Sequence, residues 1–166
     1  MAGRRLFIGL AGASLLAGCG FALRKAPNFA FSNLYIGAGD GSAMSSELRR
    51  NLATSPSVRV IERGGAPTGA DAVLDLLNET REKVVVGLSA SGQVREFQLR
   101  LRVRFRLRTP QGKELIPETA LLQERDISFN ESAVLAKEAE EGLLYRDMQT
   151  DLVQQLMRRL AAVKSL

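Results

Sequence analysis

The chain has 166 residues, 25 % charged and 45 % hydrophobic, with 23 Lys and Arg against 18 Asp and Glu. That length suits one domain with a real core, and the ordinary composition excludes collagen-like and wholly disordered chains. The absence of histidine and the single cysteine remove Ser-His-Asp and Cys-His catalysis, internal disulfides and cysteine-based zinc clusters.

Residues 1–18 read as an address rather than as structure. Arg4 and Arg5 give a positive start, and the eleven residues 6–16 are uncharged and mostly apolar. A helix of that length spans only ~16 Å, too short for a ~30 Å hydrocarbon core, which makes it a secretory signal peptide rather than a membrane anchor. It ends in Leu16-Ala17-Gly18-Cys19, which resembles the bacterial lipobox of an apolar residue, two small residues and cysteine. Cys19 is then the lipidation site, and acyl chains on it hold the body on a membrane surface. By resemblance to other such lipoproteins, Gly20 in place of Asp favours the outer membrane. Residues 19–32 read as the lipidated N-terminus and a tether, and 33–166 as a single domain.

Leu34-Tyr35-Ile36 suits a first strand, closed by a glycine-rich stretch, 37–41, that lacks the order of a phosphate-binding loop. Ser42 caps a predicted helix reaching about Thr54, with Met44, Leu48 and Leu52 on one face. Ser55-Pro56 ends it, because the residue before proline disfavours helical angles. Residues 58–61 suit a brief strand and 72–88 a long one, followed by the hairpin turn Ser89-Ala90-Ser91-Gly92.

The next strand has the cleanest alternation in the chain. Phe97, Leu99, Leu101, Val103, Phe105 and Leu107 fall on one side, and Gln98, Arg100, Arg102, Arg104, Arg106 and Arg108 on the other. After the turn at Pro110-Gln111-Gly112-Lys113, residues 115–129 form a third long strand, which gives an antiparallel meander. Asn130 caps a second helical region in which Leu144, Met148, Leu152, Leu156 and Leu160 recur every four residues, with a break expected at Gly142. Its polar face is mixed rather than basic, so it packs on the sheet instead of lying on a membrane. The expected fold is α+β: a two-layer sandwich with two helices packed on one face of a mainly antiparallel four-stranded sheet. The other face, with the arginine row, is left open.

Six segments bear a family resemblance. They are Cys19-Gly20-Phe21-Ala22-Leu23-Arg24, Gly92-Gln93 with Glu96-Phe97-Gln98-Leu99, Arg125-Asp126-Ile127-Ser128-Phe129, Val134-Leu135-Ala136-Lys137, Leu144-Tyr145-Arg146-Asp147-Met148 and Gln155-Leu156-Met157-Arg158-Arg159-Leu160. In that order, and over nearly the whole mature chain, they resemble the LptE family of lipopolysaccharide-assembly lipoproteins. The resemblance implies a non-enzymatic outer-membrane protein without a cofactor, two helices over a four-stranded sheet. It implies a place in the lumen of an LptD-like β-barrel, which such proteins help to assemble and plug, and direct binding of lipopolysaccharide. The family's lipopolysaccharide-contacting lysine matches Lys137. Its second basic residue, just before the Gly-Gln of the hairpin, is replaced here by Ser89-Ala90-Ser91, and Arg95 is the candidate to compensate.

Arg100, Arg102, Arg104, Arg106 and Arg108 admit three readings. Guanidinium groups bind lipid A phosphates well, complementary charge would dock them on an acidic barrel wall, and a charged face also keeps an open sheet soluble. Nucleic acid is a poor partner for an exported lipoprotein despite the basic face. The carboxylates Glu138, Glu140, Glu141, Asp147 and Asp151 lie among Lys137, Arg146 and glutamines and read as structural charge, not a glycosidase pair. A different function stays open: a periplasmic accessory lipoprotein of a lipid-transport ABC system.

Overall fold

The computed structural model describes residues 27–39, 41–61 and 67–166; the expected signal peptide, Cys19 and the first part of the expected tether lie outside the described residues. Five strands form one mixed sheet in the order β2-β1-β3-β4-β5. Strands β3 (Ala72–Leu88), β4 (Val94–Arg108) and β5 (Glu114–Ser128) make the antiparallel meander. Strand β1 (Asn33–Gly37) instead pairs in parallel with both β3 and β2 (Arg59–Ile61). The expected four-stranded, mainly antiparallel sheet is corrected to five strands of mixed direction. Parallel neighbours need a crossover, and helix α1 (Ala43–Ala53) supplies it between β1 and β2.

Side chains fix this unit. Asp71 Oδ2 accepts the backbone N–H groups of Ser32 and Asn33 at 2.9 and 2.8 Å, which holds the entry to β1. Arg49, on α1, donates to the carbonyls of Ile61 and Ile36 at 3.2 and 2.9 Å, which ties the ends of β2 and β1 to the helix. Ser42 Oγ accepts from Ser45 N–H at 3.0 Å and caps α1 as the sequence predicts.

Asn130 caps a single 3-10 turn, Glu131–Ala133, rather than the long helix itself. Helix α2 (Val134–Ala161) then runs for 28 residues without the expected break at Gly142. That glycine faces open space on the outer side of the helix. One glycine costs only ~1 kcal/mol in a helix, less than the buried stripe contributes.

Both helices cover the same face of the sheet. Leu34, Leu74, Leu99, Leu101, Phe105, Leu107, Leu48, Leu52, Met148, Leu152, Leu156 and Leu160 are all fully buried. Phe31, expected within the tether, is also buried, and its ring lies 5.4 Å from that of Phe29. The core therefore takes in Phe29 and Phe31, ahead of β1.

Candidate functional site

The register of the meander decides what the arginine row can do. On the uncovered face, β4 lies between β3 and β5, and both neighbours place acids beside it. Arg100 Nε lies 3.1 Å from Glu124 Oε1, and Arg104 Nη1 lies 3.0 Å from Glu118 Oε1. Arg106 and Arg108 both donate Nε to the same oxygen, Asp75 Oδ2, at 2.8 and 2.9 Å. Burial pushes the Asp75 carboxyl up, but the hydrogen bonds and charge of Arg108 and Arg106 outweigh it and hold the group below its ordinary value. Arg102, opposite Thr80 and Leu122, makes no ion pair among the described residues. The face is a lattice of compensated charges with one unmatched arginine near its middle.

A second cationic cluster lies on the helix-covered side, toward the β3–β4 hairpin. Lys137, in the first turn of α2, donates Nζ to Ser128 Oγ at 3.0 Å and to Glu140 Oε2 at 2.8 Å. Lys83 reaches over from β3, its Nζ 2.6 Å from Glu141 Oε2 and 4.5 Å from the centre of the Phe97 ring. Phe97 meets Phe129 edge to face at 5.3 Å. Lys83, Phe97, Ile127, Phe129, Lys137 and Glu141 together line a cavity of about 50 Å³. Arg95, two residues before Phe97 on β4, is exposed and stands where the β3–β4 register shifts. Its carbonyl accepts Phe129 N–H at 2.8 Å. Arg95 and Lys137 thus share one end of the sheet, without a hydrogen bond between their side chains.

Around this end the apolar surface is open: Val85 is 45 %, Leu88 62 % and Leu135 82 % exposed. Further along α2, Tyr145 donates its hydroxyl to the Glu82 carbonyl at 2.7 Å, beneath the Arg81 guanidinium. Burial, reinforced by Glu141, pushes its phenol up. Of the five carboxylates read as structural charge, three have cationic partners, and Glu138 lines the same cavity as the two lysines. Glu140 and Glu141 hold the two lysines, and Asp151 lies 2.9 Å from Arg125.

Lys83 is a residue the sequence reading passes over. Its side of β3 is not readable from parity along the strand, because the register shifts between Leu76 and Asn78, and only its pairing with Leu99 of β4 shows that it faces the helices.

A family model described as LptE, lipopolysaccharide-assembly, matches residues 27–160. The chain belongs to the LptE family. It is 29 % identical over 161 residues to the LPS-assembly lipoprotein LptE of Photorhabdus laumondii, covering 95 % of this chain and 85 % of that one. The solution structure of lipoprotein B from Nitrosomonas europaea is 36 % identical and superposes with a TM-score of 0.72 over 86 % of this chain and 91 % of that one. Rare lipoprotein B from Shewanella oneidensis shares the fold, with a TM-score of 0.67 at 24 % identity over 79 % of this chain and 95 % of its own. No helix among the described residues of this LptE-family chain is long and apolar enough to cross a membrane.

Proposed function

We propose that this chain is an outer-membrane lipoprotein, anchored through Cys19, that binds lipopolysaccharide and assembles with and plugs an LptD-like β-barrel for insertion of the glycolipid into the outer leaflet. It does so as a binding and assembly component, not as an enzyme. The observation that carries the reading is the position of Lys137. The lysine of the family's L-A-K segment stands at a cationic end of the sheet with Arg95, beside open apolar surface. An amphiphile with phosphates on a sugar head and acyl chains below it needs that combination.

The uncovered face suits the barrel partner better than the lipid. Four of its five row arginines already have carboxylate partners, so a free phosphate would have to displace them. A polar wall can meet a face of alternating charge without leaving either sign unpaired, and Arg102 offers the one uncompensated contact.

Affinity purification of the lipoprotein from detergent-solubilised membranes tests the partner. An outer-membrane barrel should come with it, whereas an inner-membrane transporter would favour the ABC-accessory function. Lys137→Asp should lower lipopolysaccharide binding without loss of the barrel, and unchanged binding would remove Lys137 from the site.

A further inference from the structure

We infer that Lys83 and Lys137 form a single anion site, and that Glu141 and Glu140 act as built-in counter-ions which a phosphorylated lipid displaces on binding. This rests on the reading of Lys137 above and adds a second cation and an exchange step.

The two lysines come from different elements, β3 and α2, and line one cavity. Each is held by a carboxylate from two consecutive residues of α2, at 2.8 Å for Lys137–Glu140 and 2.6 Å for Lys83–Glu141. Each lysine also has a neutral second partner that stays when the carboxylate leaves. For Lys137 it is Ser128 Oγ at 3.0 Å, and for Lys83 the face of the Phe97 ring at 4.5 Å. The ammonium groups therefore keep their places through the exchange. Ion pairs between part-exposed side chains are weak, whereas a phosphate accepts charge-assisted hydrogen bonds from both lysines at once. Val85, paired with Phe97, and Leu88 and Val134 nearby expose apolar surface that a free phosphate would leave unused. The ligand is accordingly a phosphomonoester on an amphiphile.

The lipidated full chain in detergent can be titrated with lipopolysaccharide and, separately, with the same lipopolysaccharide stripped of its phosphates. Circular dichroism melts check that each variant stays folded. Glu141→Gln and Glu140→Gln should each tighten binding about three-fold, because a competing counter-ion is gone. Lys83→Met should weaken it about ten-fold, and Lys83→Arg should restore most of the loss. In the double variant Lys83→Met with Glu141→Gln, the gain from the glutamine should vanish. None of these changes should appear with dephosphorylated ligand, and inorganic phosphate should compete only at far higher concentration.

If Lys137→Met weakens binding while Lys83→Met and both glutamine variants leave it unchanged, the paired site is overturned and the Lys137 reading stands. A Glu141→Gln gain that persists without Lys83 overturns the exchange, since it would be a general field effect. Failure of the unsubstituted chain to bind lipopolysaccharide overturns both.

Discussion

The two ends of the sheet are built on different principles. Where β1 meets β3 and the second half of α2 closes over the sheet, Leu34, Leu74, Leu152, Leu156 and Leu160 have no exposed surface at all. Toward the β3–β4 hairpin, the same helix and strands meet through Lys83–Glu141, Lys137–Ser128 and the Tyr145 hydroxyl. Burying one large apolar side chain contributes ~1.5–3 kcal/mol, whereas a part-exposed ion pair contributes ~0–1 kcal/mol. Stability is concentrated at one end, and local opening costs less at the other.

Leu152→Asp should break the comparison most severely. A carboxylate at a fully buried stripe position has no partner and should cost about 4 kcal/mol or more. A thermal melt followed by circular dichroism should show a domain unfolded or melting far lower. An unchanged melt would place the helix stripe outside the core.

Asp75 sharpens the contrast on the uncovered face. Asp75→Asn removes two charge-assisted contacts and should cost about 1–2 kcal/mol at neutral pH. The folded-state carboxyl lies below its ordinary value, so its stabilisation is complete above the unfolded value near ~3.9 and is lost as pH falls through the folded value. Melts of the two proteins should therefore converge below about pH 4. A gap that persists into strong acid would mean that packing, not charge, distinguishes them.

Tyr145 stands at the boundary between the two ends. Tyr145→Phe loses the hydroxyl bond to Glu82 while keeping the ring, and should cost about 1 kcal/mol in denaturant unfolding. The smallest change is expected at the hairpin. Val85→Ala should stay within about 0.5 kcal/mol, because nearly half of that side chain is already in water. A loss comparable to a core truncation there would make the hairpin end part of the core.

The legible parts of the fold are those with local period. Alternation from Phe97 to Arg108 predicts β4 and its buried side, and Leu101, Phe105 and Leu107 are buried accordingly. The four-residue recurrence from Leu144 to Leu160 likewise predicts the stripe of α2. Strand β2 has three residues, too few to show a period, and its parallel pairing with β1 depends on contacts across α1. The sequence suggests a strand at 58–61 but not its place in the sheet, so four strands are expected and five are found.

The site divides in the same way. Arginines on every second residue are visible in sequence, but their partners Glu118, Glu124 and Asp75 become neighbours only through register. Even-numbered acids on β5 were the available clue. Lys137 came from resemblance to a family segment, and Lys83 required knowing which strand it crosses.

The strand order carries a consequence for how the chain is made. β1 lies between β2 and β3, and both come later in the sequence. A chain that emerges N-terminus first presents Leu34 and Ile36 on a strand whose edges stay open until Arg59–Ile61 follow on one side and the residues from Ala72 on the other. The meander has no such wait, because each of its strands turns directly onto the next. Any factor that guards the nascent chain against strand-to-strand aggregation should therefore act on the segment around β1.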